Sequence, residues 1–184
     1  DLILKYGNID INEYNTKETL LQKIYDEKLE IDCDTPLENL GYGNLVDQLY
    51  KKVARPNVVN PIFLTEHPIS LSPLARANDD NPEITDRFQL VINGAEIINA
   101  YSELVDPQEQ ERRLEVQAAL KDNGDEEAMP MDHDYISAME VGMPPISGWG
   151  MGIDRVVQLL TNSDNIKDVI LFPLMRPLNE EKKD

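Results

Sequence analysis

The dipeptide Asn93-Gly94 constrains the fold more than any other feature of the sequence, because it stands between two extended runs. Phe88, Leu90 and Ile92 alternate with Gln89, Val91 and Asn93, and a second strand-like run follows from residue 95 to about residue 104. Asn-Gly readily adopts the positive φ angles that a two-residue hairpin turn requires. The sequence therefore predicts a β-hairpin in which Ile92 pairs with Ala95 and Val91 with Glu96.

The elements around this hairpin favour an α+β fold. A short apolar run at residues 61–65 predicts a buried strand, and Asp106 and Asp132 are typical of residues that cap the start of a helix. A glycine-rich segment at residues 148–152 leads into a last helix at 153–161, then a buried strand at 169–172 and a charged tail at 179–184. Because strands and helices do not alternate, we expect an antiparallel sheet flanked by helices, not a parallel doubly wound sheet.

The first sixty residues have a different character. A capping box formed by Asn15 and Glu18 predicts one helix, and a second is predicted from about residue 44 to residue 54. The apolar strand at residue 61 follows directly. We therefore divide the chain into a helical segment, residues 1–60, and a sheet-containing part, residues 61–184.

Charge and cysteine content exclude several classes of protein. The formal net charge of −18 argues against a general nucleic-acid grip, which needs clustered Lys and Arg, and it is compatible with a site for a cation. A solvated acidic surface is the plainer interpretation of most of this charge. Cys33 is the single cysteine, so the sequence predicts no internal disulfide and a reducing, cytoplasmic setting. No apolar run is long enough to predict a membrane span.

Polar residues stand inside the second strand of the hairpin. Glu96, Asn99, Tyr101 and Glu103 lie among Ile, Ala and Leu residues. Burial of a carboxylate is costly unless it meets a cation, a metal or hydrogen-bond donors, so this pattern indicates a binding site. The alternative is an amphipathic strand with one wet face.

The glycine-rich segment before the last helix is a second candidate site. Glycines allow a close backbone approach to a ligand, and Arg155 falls in the first turn of the helix, where a cation is poorly placed for the helix dipole. That placement indicates a role such as binding nucleotide phosphate, although a tight turn with a surface salt bridge would also explain it. The segment is not a phosphate loop, because it lacks the Gly-Lys-Ser/Thr ending.

Other polar residues have plainer explanations. His67 and His133 have no partner at metal-ligand or catalytic-triad spacing, so we interpret His67 as a structural loop residue and His133 as solvated. The acidic residues 125–127 predict a solvated loop rather than a metal site.

The two candidate sites together resemble the class II lysyl-tRNA synthetases. The resemblance runs in the family's order from about residue 60 to residue 177, and residues 150–155 are similar to the third signature motif of class II synthetases. The matching stretches are SPLAR at 72–76, NPEITDRF at 81–88, EIINAYSELVD at 96–106, GDEEAM at 124–129, GMPP at 142–145, GMGIDR at 150–155 and DVILFPLMRP at 168–177.

The resemblance implies an ATP-dependent ligase that converts lysine to lysyl-adenylate and transfers the lysyl group to tRNA(Lys). It implies a homodimer in the full-length protein, Mg²⁺ as cofactor, ATP as substrate and no membrane partner. By this resemblance, Arg155, Gly150 and Gly152 bind ATP, Arg155 is also catalytic, and Glu96 is a magnesium ligand. Three residues contact the lysine substrate: Asn99 its carboxylate, Tyr101 its side chain and Glu103 its ε-ammonium group. At Gln89 the family usually places a second acidic magnesium ligand, which here is a neutral amide.

The implied roles place a geometric demand on the strand. Asn99, Tyr101 and Glu103 are spaced by two and share a face, whereas Glu96 has the opposite parity. A regular strand would send Glu96 away from the others. The sequence and the resemblance together therefore predict a β-bulge between Glu96 and Asn99, since bulges often lie beside active sites.

Departures from the family leave alternatives open. The first and second signature motifs and the N-terminal anticodon-binding barrel are not found in this sequence, so we expect this chain alone to be incompetent in lysine activation. A paralogue that modifies another protein instead of tRNA, or a non-catalytic interaction module derived from the family, are the alternatives to a lysine–tRNA ligase.

Overall fold

The computed structural model describes residues 1–174. The chain begins with three helices, which are followed by three strands. Two further helices, a fourth strand and a last helix complete the order. In chain order, the elements are α1 (Leu2–Gly7), α2 (Lys17–Asp26), α3 (Tyr42–Val53), β1 (Ile62–Leu64), β2 (Arg87–Ile92), β3 (Ala95–Ser102), α4 (Pro107–Asp122), α5 (His133–Glu140), β4 (Ser147–Met151) and α6 (Ile153–Thr161). Short 3-10 helices occur at Leu37–Asn39, Arg55–Asn57, Ile69–Leu71 and Ile166–Asp168.

The sheet has the order β1-β2-β3-β4, and β2 runs antiparallel to both β1 and β3. This confirms the predicted α+β class, an antiparallel sheet with flanking helices. The glycine-rich segment that we had interpreted as a turn before the last helix is itself strand β4 for most of its length. Glycine weakens a strand, so the segment did not look like one in the sequence, but the edge of β3 supplies a partner strand.

The predicted hairpin is confirmed, including its register. Asn93 and Gly94 have φ angles of 49° and 71°, and Ile92 pairs with Ala95. From Arg87 to Leu90 the pairing with β3 is regular, but the register shifts by one residue between Leu90 and Val91. Leu90 pairs with Ile98 and Val91 with Glu96, so Ile97 is the extra residue of a β-bulge. The predicted bulge is therefore confirmed.

The strand predicted at residues 61–65 is present as β1, but the prediction that it is buried was wrong. β1 is an edge strand of the sheet, and Phe63 is 66% exposed. Its ring packs edge-on against the ring of Phe88 at a centroid distance of 5.4 Å. Apolar composition alone does not distinguish an edge strand from a central strand, because only the number of neighbouring strands differs.

The helical segment forms the larger of two hydrophobic cores. α2 begins one residue later than predicted, because the Thr16 side chain accepts a hydrogen bond from the Thr19 backbone N–H and forms a capping box with Thr19, rather than Asn15 with Glu18. Leu64 of β1 packs against this core, and the division at residue 60 stays a prediction. The buried members of the core are Ile3, Ile9, Leu20, Ile24, Leu40, Leu45, Val46, Leu49, Tyr50 and Ala54.

The two predicted helix caps are confirmed. The Asp106 side chain accepts hydrogen bonds from the backbone N–H groups of Gln108 and Glu109 at the start of α4. The Asp132 side chain accepts one from the backbone N–H of Tyr135 in α5. α4 and α5 build the second, smaller core, around Leu114, Ile136 and Met139.

The chain divides into two compact units, residues 1–150 and 151–184. In the second unit α6 has the predicted bounds, but the buried strand predicted at 169–172 is wrong: Leu171 and Phe172 are each 91% exposed and lie in irregular structure. These residues form no strand ladder, and an apolar run becomes a strand only when a partner strand satisfies its backbone. The predicted tail at 179–184 and residues 175–177 of the family-like stretch lie outside the described residues. Across residues 1–174, no helix has both the length and the apolar composition needed to cross a bilayer.

Candidate functional site

The bulge at Ile97 brings Glu96 to the face of the sheet that carries Asn99 and Tyr101. Gln89 of β2 lies directly opposite Asn99, and its side-chain Nε2 donates a hydrogen bond of 2.5 Å to Oε2 of Glu96. Cross-strand neighbours share a face, so the contact shows which way Glu96 points. Gln89, where the family usually places a second acidic ligand, thus contacts Glu96 in the structure.

His67 fixes the orientation of the Gln89 amide. Its Nε2 lies 3.3 Å from Oε1 of Gln89. Because the Gln89 amide nitrogen donates to Glu96, the amide oxygen is left to accept from His67, which selects the Nε2–H tautomer. Burial, helped by the positive charge of Arg87, lowers the pKa of His67 to about 4 and keeps the ring neutral. His67 is a loop residue, as predicted, but it is buried and supports the polar face of the sheet.

Arg87 orients the Asn99 amide in the same way. Its Nε donates to Oδ1 of Asn99 at 3.0 Å, and its Nη1 donates to the Ser72 hydroxyl at 2.8 Å. The Asn99 carbonyl oxygen is therefore occupied, and the group that Asn99 can offer to a ligand is its NH₂ donor. Sequence reasoning missed the role of Arg87, although the hairpin register with its bulge would have paired position 87 with position 101.

Glu103 lies just beyond the end of β3 and differs from Glu96 and Asn99 in the hydrogen bonding of its side chain. Its backbone N–H donates to the carbonyl of Ile146 at 2.9 Å, and its carboxylate has no hydrogen bond or ion pair within residues 1–174. Burial raises the pKa of this half-buried carboxyl group. Burial also raises the pKa values of Tyr101 and Tyr135, and the negative charge of Glu103 raises both further. This carboxylate is the best candidate for binding a cation.

The glycine-rich strand and the last helix carry the other predicted residues. Gly150 lies in β4, where an added Cβ would meet nothing within 4 Å, and Gly152 is the N-cap of α6 with a φ of −75°. Arg155 is an exposed residue in the first turn of α6. Gly152 and Arg155 belong to the second unit, whereas the polar face of the sheet belongs to the first. Their participation in one site stays a prediction.

The acidic segment after α4 is not the solvated loop that we predicted, because Asp125 has no exposed surface. Its carboxylate accepts hydrogen bonds from the backbone N–H of Gly41 at 2.7 Å, from the Asn44 amide at 2.9 and 3.0 Å, and from the backbone N–H of Glu127 at 3.1 Å. The donors from the helical segment lie more than eighty positions away in sequence, so no local pattern could reveal them. Within residues 1–174, no cluster of three or more His, Cys, Asp or Glu residues could hold a metal ion.

Comparison with known proteins identifies the family. Residues 7–176 match the sequence model of the class II tRNA synthetases (D, K and N), and the chain therefore belongs to this family of aminoacyl-tRNA synthetases.

Its curated relatives are named lysine–tRNA ligases. The relative from Helicobacter hepaticus is 45% identical over 96% of this chain, that from Campylobacter jejuni subsp. doylei 44% over 100%, and that from Cronobacter sakazakii 54% over 75%. These regions cover 33%, 36% and 27% of the respective relatives, so the chain spans about a third of the length of the curated relatives it matches.

Proposed function

We propose that this chain carries the lysine-binding strand and the third signature motif of a lysine–tRNA ligase. The reaction joins lysine to ATP, giving lysyl-adenylate and pyrophosphate, and then transfers the lysyl group to tRNA(Lys). Support comes from the names of the relatives and, above all, from one structural observation: the Glu103 carboxylate is half-buried and unpaired within the described residues.

Glu103 is suited to bind an ε-ammonium group. Burial without a cation costs free energy, which the raised pKa of Glu103 reflects, and a cationic ligand would recover it. Tyr101, two residues earlier on the same face, is partly buried and can cover the aliphatic part of a lysine side chain. A carboxylate beside an aromatic ring therefore favours a substrate with a long apolar stem and a positive end.

Asn99 is suited to bind the other end of the same amino acid. Since Arg87 occupies its carbonyl oxygen, Asn99 presents an N–H donor, which matches a carboxylate and not an ammonium group. Asn99 in β3 and Glu103 just beyond its end are four residues apart, roughly 13 Å in an extended chain, a span that suits contacts at opposite ends of one amino acid. Asn99 would thus contact the carboxylate end of lysine, and Glu103 the ammonium end of its side chain.

Further parts of the proposal rest on family membership. Arg155 binds ATP, with Gly150 and Gly152 allowing close approach of the nucleotide at the start of α6. The full-length protein acts as a homodimer in the cytoplasm. The ATP-binding roles rest on the third-motif sequence at residues 150–155, whereas the homodimer and the cytoplasmic setting rest on family membership alone.

The residues beside Glu96 could hold a magnesium ion only together with ligand oxygens that the substrate supplies. Glu96 provides a carboxylate at this position of the polar face, and one of its oxygens accepts a hydrogen bond from the Gln89 amide. Magnesium commonly binds one or two carboxylates together with phosphate oxygens and water, so Glu96 would hold an ion that ATP brings. The bound ion would neutralise phosphate charge. Gln89 would supply at most a neutral oxygen, after releasing the contact of its own amide oxygen with His67.

The proposed function is tested by lysine-dependent ATP–pyrophosphate exchange with the complete gene product that contains these residues. We expect exchange with lysine, and we expect Glu103→Gln to raise KM for lysine roughly thirtyfold or more, because removing one partner of a buried charged pair costs about 2–5 kcal/mol. KM for ATP should change little. Absence of lysine-dependent exchange would contradict the proposal. Activation of lysine without transfer to tRNA would favour a paralogue that modifies another protein.

The role of Gln89 is tested by Gln89→Glu in the same protein. A second carboxylate beside Glu96 should lower the Mg²⁺ concentration needed for half-maximal activity severalfold, because two anions attract the cation more strongly than one. Gln108→Glu is the matched control, since it makes the same change of charge at an exposed position at the start of α4. An unchanged or higher requirement in Gln89→Glu would contradict the assignment.

A further inference from the structure

The start of β4 lies against the end of β3, where the Glu103 carboxylate is found. The backbone N–H of Glu103 donates to the carbonyl of Ile146 at 2.9 Å, one residue before β4 begins. Gly148 stands two residues after Ile146, on the same side of the extended chain. The contact between the two strands therefore fixes the position of Gly148 relative to Glu103.

Because Gly148 has no side chain, the Glu103 carboxylate can occupy the space beside it. An ideal Cβ added at position 148 would lie 2.7 Å from Oε1 of Glu103, closer than real Cβ atoms approach a neighbouring atom. Apart from its neighbours in the chain, the next nearest heavy atom among the described residues is Cδ of the same carboxyl group, at 3.9 Å. Among the described residues, the space beside Gly148 is thus taken by the Glu103 carboxylate alone.

The conflict is specific to this position of the strand. Gly150, two residues further along and on the same face of β4, would carry a Cβ with nothing within 4 Å. Neither glycine has a positive φ angle, so neither is needed for an unusual backbone conformation. The requirement for glycine at position 148 comes from the side chain of Glu103 and not from the backbone.

We propose that Gly148 is a positioning residue that holds the Glu103 carboxylate where it meets the ammonium group of the substrate. This inference rests on the proposed function, because it assigns Glu103 to the lysine ε-ammonium. A side chain at position 148 would push the carboxylate out of its place. Because Oε1 is at the end of a side chain with three rotatable bonds, the carboxylate can move aside while the backbone stays where it is. Alanine at this position should therefore impair lysine binding without preventing folding.

The test is a double-mutant cycle with the complete gene product. Gly148→Ala should raise KM for lysine roughly ten- to a hundredfold, since misplacement of a binding group by about 1 Å can cost that much. Values of kcat and of KM for ATP should stay within about twofold of wild type. In a Glu103→Gln background the same alanine should change KM for lysine by less than about twofold, because the charge that it displaces is already gone.

Ser147→Thr adds a methyl group to an exposed neighbouring residue of the same strand and serves as the steric control. Its KM for lysine should match that of wild type.

The outcomes separate the two proposals. If wild type activates lysine but Gly148→Ala has an ordinary KM for lysine, or if its effect persists undiminished in Glu103→Gln, the positioning role is overturned and the proposed function stands. A Gly148→Ala protein that does not fold also overturns it, because the alanine then disturbs more than one carboxylate. If wild type does not activate lysine, both proposals fall.

Discussion

The carboxylate just after β3 and the carboxylates near the two ends of α4 differ in their hydrogen-bond partners. Glu109, in the first turn of α4, accepts hydrogen bonds from Arg112 and Arg113, each at 2.7 Å. Asp125, just after α4, is fully buried and surrounded by N–H donors. Glu103 is half-buried, and its carboxylate has no such partner within residues 1–174.

The pKa shifts follow this difference. Hydrogen bonds from Arg112 and Arg113 lower the pKa of Glu109 to about 2, whereas burial raises that of Glu103. Burial of an acidic group therefore does not identify a binding site, because the most buried carboxylate of this comparison, Asp125, has a structural role. A carboxylate that is buried but not satisfied by the protein is better placed to bind a cationic ligand.

Removal of the Asp125 carboxylate should have the largest effect on stability. Asp125→Ala leaves the Gly41 N–H and the Asn44 amide without their acceptor, and we expect a loss of about 3–5 kcal/mol in the free energy of unfolding. Chemical denaturation of the chain measures it. Glu126→Ala is the control, because the neighbouring side chain is exposed and should change stability by less than about 0.5 kcal/mol. Similar losses for both variants would show that Asp125 is not a structural anchor.

Glu109→Gln should have an intermediate effect that depends on pH. The buried Arg113 loses its anionic partner, and we expect a loss of about 1–2 kcal/mol at pH 7, reduced because Glu109 is partly exposed. Since the folded-state pKa is lowered, the stabilisation is present above the ordinary glutamate pKa and is lost as the pH falls through about 2. The difference between wild type and variant should therefore shrink from pH 5 to pH 2, in contrast to that of Glu111→Gln at an exposed position of α4. A difference independent of pH would contradict the pairing.

Glu103→Gln should have the smallest effect on stability, and in the opposite direction. A raised folded-state pKa means that ionisation of Glu103 disfavours the folded state. The stability present while Glu103 is protonated is therefore lost as the pH rises through the ordinary glutamate pKa and the raised one. The variant should equal wild type at low pH and exceed it at pH 7 by no more than about 1 kcal/mol. Thermal unfolding at both pH values checks this. A clear destabilisation at pH 7 would mean that Glu103 has a stabilising partner, and the contrast with Glu109 would fail.

Local sequence was sufficient for many elements of the fold. Asn93-Gly94 fixed the hairpin and its first two pairs, because few dipeptides adopt two positive φ angles so readily. Asp106 and Asp132 predicted the starts of α4 and α5, since a helix cap involves only the next three residues. The bulge followed from the parity of Glu96 and Asn99 once both were expected to face one site.

The sequence by itself determined the location of the hairpin and of several helices, and it placed Gln89, Glu96, Asn99 and Tyr101 on β2 and β3, but it predicted neither β4 nor the role of Arg87. The tertiary structure decided which polar groups are satisfied and which apolar faces are covered. Asp125 is satisfied by residues of a distant segment, and Glu103 is not. α3 and α6 have comparable apolar patterns, yet Leu45 and Leu49 of α3 are fully buried while Leu160 of α6 is 79% exposed. The physical reason is that a side-chain pattern specifies which face of an element is apolar or polar, but burial and hydrogen bonding depend on a partner that is remote in sequence.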